Sequence, residues 1–129
     1  MNTELQMLVW SVVLGLAQIM IAATLGTMQR GLAWNAGARD EIMPPLTGVA
    51  GRMDRALWNF LETFPFFAVA VLAVIVTQRS NAHTVLGAQL YFWARLAYVP
   101  MYAAGIAYVR TLVWVVSIVG LAMVLLPLF

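Results

Sequence analysis

Two stretches of this chain carry no charged residue over lengths that water-soluble folds rarely tolerate. Leu5 to Gln29 runs for 25 residues and Thr111 to Phe129 for 19. A helix rising about 1.5 Å per residue crosses a hydrocarbon layer of about 30 Å in about 20 residues, so each stretch is long enough to span a bilayer unaided. Two further stretches, Thr63 to Gln78 and Ser80 to Ala94, hold only 16 and 15 uncharged residues. Each falls short of the hydrocarbon thickness and must extend into neighbouring charged segments. The expected helices are therefore about 5–28, 49–78, 81–102 and 108–127. Joined by short connections, they make a single all-α domain: an integral membrane, antiparallel four-helix bundle.

Composition supports the bilayer as solvent. Hydrophobic residues make up 64% of the chain and charged residues 9%, against about 45–50% and about 25% in soluble domains. The basic residues are seven Arg with no Lys, for a net charge of +2. No run of Lys and Arg along the sequence is available to displace counterions from a nucleic acid, so that partner class is excluded. The absence of Cys excludes disulfides, thiolate catalysis by the chain and Cys-ligated zinc. A single His, His83, leaves metal chemistry poorly supplied, and no metal site is expected. The flank Met1 to Glu4 has no basic residue, so the first apolar segment is expected to remain in the membrane rather than act as a cleaved signal.

Orientation follows from the Arg positions. Arg30, Arg39, Arg52, Arg55, Arg95 and Arg110 gather at the end that holds the long connection Gly31 to Gly48 and the turn Ala103 to Ala107, while Arg79 marks the other end. The positive-inside rule places the richer end in the cytoplasm and both termini on the opposite side. Trp34 is a candidate interfacial residue in the long connection, whereas Trp58, Trp93 and Trp114 have simple packing as an alternative role.

The borrowed polar residues are not scattered. At about 100° per residue, Arg52, Arg55, Asn59 and Glu62 fall within an arc of about 80° on the second helix. On the third helix, Tyr91, Arg95, Tyr98 and Tyr102 fall within about 60°. Both stripes lie toward the Arg-rich end, where Arg30 closes the first helix and Arg110 opens the fourth. Charges inside a membrane cost about 2.5–3.5 kcal/mol each near its centre and normally face protein or water. Glu62 is the deepest, and Arg95 is the best-placed partner for it, with Asn59 bridging Arg55 and Glu62. Single Arg residues at these depths have snorkelling to the interface as an alternative role. Together the stripes fit a small anionic or zwitterionic ligand, with Arg for carboxylates, Glu62 for an ammonium, and Tyr and Asn for amides.

These residues carry a resemblance. The second-helix run containing Arg55, Ala56, Asn59, Glu62, Phe64 and Pro65 resembles the R-A-x-x-N-x-x-E-x-F-P motif of the MAPEG family, the membrane-associated proteins in eicosanoid and glutathione metabolism. Pro44-Pro45-Leu46-Thr47-Gly48 is similar to that family's entry to the helix, and Arg95-x-x-Tyr98-x-x-x-Tyr102 matches on the third. The resemblance covers nearly the whole chain. It implies a bacterial-type, inner-membrane homotrimer with glutathione as cosubstrate, bound between subunits near the cytoplasmic side. By the same resemblance Arg55, Asn59 and Glu62 would bind the glutathione backbone, and Arg95 lies in the matching third-helix motif with Tyr98 and Tyr102, which would complete the pocket. Arg30 would reach in from an adjacent subunit, and Arg110 would hold the sulfur as thiolate for attack on a hydrophobic electrophile. Leu57 and Thr63 depart from the Gln and Tyr that some members carry. Two other classes stay open on the residues: a thiol-binding or assembly protein that uses the stripes to hold subunits together, and a small proton-coupled exporter using Glu62.

Overall fold

The computed structural model describes all 129 residues and is helical throughout its ordered elements. The helices are α1 (Thr3–Arg30), a short α2 (Leu32–Ala36), α3 (Gly48–Val76), α4 (Ala82–Ala103) and α5 (Tyr108–Leu125), followed by a 3-10 turn at Leu126–Leu128. Helices α1, α3 and α5 with its 3-10 extension are long and apolar enough to cross a membrane. Helix α4, with 22 residues, spans about 33 Å and packs among them. Lipid cannot hydrogen-bond a bare backbone, so helices that satisfy their own N–H and C=O groups are what such a sequence adopts.

The long connection is not wholly irregular: α2 occupies its first part. Gly31, at φ +94°, ends α1 by donating its N–H to the Thr27 carbonyl at 2.8 Å. The chain then turns directly into α2. Gln29 ties the far end of the connection back to α1, its side-chain amide donating to the Thr47 carbonyl at 3.2 Å and accepting from the Thr47 N–H at 2.8 Å. Helix α3 continues through Pro65 without interruption.

Helices α4 and α5 form the most extensive pair, and α1 lies mainly on α3. The larger core cluster joins Phe67, Ala70, Val71 and Val74 of α3 to Leu8, Ala88, Tyr91, Leu121 and Val124. A smaller one joins Leu14, Phe60 and Phe92. Between apolar helices in lipid the hydrophobic effect is nearly absent, so close packing has to supply the attraction. Small residues make that possible: a Cβ added to Gly120 would lie 2.5 Å from the Gly87 carbonyl oxygen, and one added to Gly87 equally close to that of Gly120. Bulky residues such as Trp10, Leu16, Met20, Phe66, Val69 and Leu112 remain on the outside, facing where lipid would lie.

The two ends of the bundle differ in chemistry. At one end Ser80 and Thr84 both donate to a single oxygen of the buried Glu4 carboxylate, Thr84 at 2.8 Å. Arg79 there donates to the Pro127 carbonyl at 3.1 Å. That end holds both termini and the α3–α4 turn. The other end collects the remaining Arg residues.

Candidate functional site

The Arg-rich end takes its geometry from how the helices stop. Helix α4 finishes at Ala103, and Gly105, at φ +76°, turns the chain toward α5 in a conformation that residues with a Cβ rarely adopt. Arg52 of α3 donates from Nε to the Ala103 carbonyl at 2.8 Å. A guanidinium on a helix C-terminus satisfies an orphan carbonyl and complements the helix dipole. Arg52 is thereby committed to the helix end, although it shares a stripe with Arg55, Asn59 and Glu62.

Two turns along α3, Asn59 faces a cavity of about 310 Å³ that is also lined by Tyr98, Tyr102, Arg110, Thr111 and Trp114. Four of these are residues that the sequence stripes and the resemblance single out. The Arg110 guanidinium lies over the Tyr102 ring at 4.3 Å, and the Tyr98 and Tyr102 rings meet edge to face at 5.6 Å. Arg55 donates Nε to the Tyr102 hydroxyl at 3.3 Å, with its guanidinium 5.9 Å from that ring. Tyr102 thus contacts two cations from different helices. The cavity wall is rich in donors and in aromatic faces, a composition suited to carboxylate, amide and thiolate groups.

Arg95 sits elsewhere. It is 1% exposed, behind the cavity wall, and Nη2 donates to Asn59 Oδ1 at 2.9 Å. The Glu62–Arg95 pair expected from the sequence does not form, because the Asn59 amide intercepts the guanidinium one turn earlier on α3. Nor does Asn59 bridge Arg55 and Glu62: the only hydrogen bond its side chain makes within the chain is the one from Arg95. Glu62 is exposed on the outer side of α3 and is not part of the cavity wall within one protomer.

Arg30 is on a separate face. It shares a recess of about 250 Å³ with residues that include Trp34, Asn35, Arg39, Leu46 and Asp54. Its guanidinium stacks over Trp34 at 5.2 Å and donates to the Pro44 carbonyl at 3.3 Å, and the Arg39 guanidinium also lies over the Trp34 ring at 5.6 Å. Within one protomer, then, Asn59, Tyr98, Tyr102, Arg110 and Arg55 come together, and Arg30, Glu62 and Arg95 do not join them at the same surface.

Two cavity residues escaped the sequence reading. Trp114, given packing as an alternative role, lines the cavity one turn after Arg110, and Thr111 follows Arg110 directly. The i to i+4 spacing from Arg110 was the available signal for Trp114. The Thr63 departure also has a local use: its hydroxyl shares a 3.0 Å hydrogen bond with the buried Tyr91 hydroxyl, and the Tyr91 ring stacks on Phe67 at 3.9 Å.

No curated protein and no solved structure matches the chain. The MAPEG family model matches residues 7–129, which takes in α2 to α5, all but the first four residues of α1, and every residue of the cavity wall. A membrane-embedded helical chain that carries this family's sequence pattern over essentially its whole length belongs to the MAPEG family.

Proposed function

We propose that the protein is a membrane-embedded, glutathione-dependent transferase or peroxidase that holds glutathione as thiolate and directs its sulfur at a hydrophobic electrophile. The observation that carries this reading is the juxtaposition of Arg110, Tyr98, Tyr102 and Asn59 around one cavity, with Arg55 at its edge. Family membership is consistent with it. Glutathione offers two carboxylates, an ammonium, two amides and a thiol. The donor-rich wall fits the carboxylates, amides and thiolate, and Glu62 supplies a carboxylate for the ammonium on the neighbouring face.

A guanidinium beside sulfur favours the ionised form, so Arg110 lowers the work of releasing the thiol proton to solvent. The thiolate then forms a C–S bond with the electrophilic carbon, and the leaving group departs with its bonding electrons. Aromatic and apolar residues that open toward lipid, Trp114 among them, are suited to hold the electrophile.

The site is read as shared between copies of a homotrimer. Glu62 and Arg55 are exposed on a helix within the bilayer, where an unpartnered charge is costly. The Arg30 recess lies on a different face from the Arg110 cavity. Bringing the first face of one protomer against the second face of another would let Arg30 reach glutathione. The same exposed charges would serve a protein whose role is assembly alone, and thiol binding separates the two readings.

Calorimetry of glutathione binding to the detergent-purified protein, read together with thiolate absorbance, is the test. Binding that weakens about 10–100-fold in Arg55→Ala, the size of a lost hydrogen bond to a charged group, is the expected result. No binding at millimolar glutathione would move the function to another thiol or to assembly.

A further inference from the structure

We infer that Arg95 is a positioning residue that sets the hydrogen-bond polarity of the cavity through Asn59, making it a receptor for a group that only accepts hydrogen bonds. The inference deepens the glutathione reading above and rests on it for the identity of the ligand. Arg95 is too deeply buried to meet that ligand itself.

A guanidinium has donors and no acceptor. With Arg95 Nη2 at 2.9 Å, Asn59 must turn its carbonyl oxygen toward α4. Its Nδ2 then points the other way. Nδ2 finds no partner within the chain and is not among the enclosed, unsatisfied polar atoms, while Asn59 lines the cavity. Both amide hydrogens are therefore presented to whatever occupies that space.

Arg95 is itself held by few contacts, which makes the coupling tight. Its Nε and Nη1 are buried without an acceptor, and no carboxylate pairs with it. Asn59 Oδ1 is its one side-chain acceptor, and aromatic faces supply the rest: Tyr98 at 4.5 Å and Phe60 at 5.7 Å. A single buried cation thus backs two residues of the cavity wall, Asn59 and Tyr98. Together with Arg110 it leaves the wall with donors and positive potential and no carboxylate. A thiolate or carboxylate fits such a wall, and an ammonium does not.

The test uses the full chain in detergent and compares wild type with Arg95→Lys, Arg95→Met and Asn59→Asp. Lysine keeps a buried donor for Asn59 Oδ1, whereas methionine removes it and frees the amide to flip. At a fixed pH near the midpoint of the wild-type titration, the thiolate fraction of bound glutathione should be close to wild type in Arg95→Lys. It should fall about fivefold in Arg95→Met, from about one half to about one tenth, which corresponds to a shift of about one pKa unit. Asn59→Asp keeps a partner for Arg95 and so keeps the fold, yet it replaces the amide donor with an acceptor and should lose the thiolate to at least the same extent.

The side-chain amide signal of Asn59 in protein labelled with nitrogen-15 at asparagine, identified by its loss in Asn59→Asp, gives a readout independent of glutathione. In the ligand-free protein Arg95→Met should displace that signal far more than Arg95→Lys does. Equal displacement in the two variants, or thiolate loss in Arg95→Lys as large as in Arg95→Met, would overturn the inference. Absence of glutathione binding in the wild type would instead overturn the functional reading, and the amide signal would still decide the orientation of Asn59.

Discussion

A charged or polar atom inside a membrane protein is costly unless something answers it, and single residues here show how finely that is arranged. Thr63 and Tyr91 satisfy each other's hydroxyls at 3.0 Å in the interior. Thr63→Val orphans the buried tyrosine hydroxyl, and the expected cost is about 1–3 kcal/mol, measurable as a lower melting temperature with glutathione binding retained. Arg110 is a different case, since it faces a cavity and packs on Tyr102. Under the proposed mechanism Arg110→Leu should lower kcat by more than it raises the dissociation constant of glutathione. Stopped-flow thiolate formation and equilibrium binding, run on the same preparation, check this, and equal losses in both would refute the division of roles. The helical spacing made most of the site legible, since Arg55, Asn59, Tyr98 and Tyr102 needed only arithmetic at 100° per residue. The partner of Arg95 was not legible. Asn59 and Glu62 sit on the same stripe one turn apart, and only the relative height of α3 and α4 decides which of them a guanidinium reaches.

At the scale of helices, two glycines separate tolerable from intolerable crowding. A Cβ at Gly120 would meet backbone atoms, the Gly87 carbonyl oxygen at 2.5 Å and the Tyr91 nitrogen at 2.8 Å. Backbone in a packed helix pair cannot step aside, so Gly120→Ala should push α4 and α5 apart and cost about 1–3 kcal/mol. At Gly15 the nearest atom is instead the edge of the Phe60 ring at 2.9 Å. A ring can rotate by a few degrees, so Gly15→Ala should cost clearly less. Thermal denaturation of the two variants in one detergent compares them directly, and an equal or larger loss at Gly15 would contradict the assignment of α4–α5 as the close-packed pair. The clamp at the other end belongs to this scale as well. Glu4 is the fourth residue of the chain, yet its carboxylate joins the start of α1 to the start of α4 through Ser80 and Thr84. No spacing rule links residues that far apart. The α4 cap beside it, by contrast, is local: the Asn81 side chain accepts from the Thr84 N–H at 2.9 Å, and Thr84 Oγ1 accepts from the Asn81 N–H at 2.8 Å. Such a capping box is legible in four consecutive residues.

The whole molecule presents more polar chemistry on its flanks than a lone protomer can use. If Arg30 completes the site of a neighbouring copy, the detergent-corrected mass by light scattering should be three times the 14.2 kDa chain, and Arg30→Ala should weaken glutathione binding without altering that mass. A monomeric mass would remove the reason for Arg30 to matter. Sidedness can be checked in the same preparations. The chain has no Cys, so single cysteines introduced at Arg39 and at His83 should label from opposite sides of the membrane, with Arg39 on the cytoplasmic face. Labelling of both from one side would contradict the crossing pattern.

What the sequence determined by itself is the solvent, the element type and the stripes. Uncharged runs of bilayer length force helices, and helical periodicity then places each polar residue on a face, both being local properties of a chain in hydrocarbon. Which face meets which is fixed instead by packing between the helices. Helix rotation, depth and the side-chain rotamers between helices are set by close packing at pairs such as Gly87 and Gly120 and by long-range bonds such as Arg52 to Ala103 and Arg95 to Asn59. Those contacts join residues tens of positions apart. Their energies depend on sub-ångström fit, which no pattern along one chain encodes.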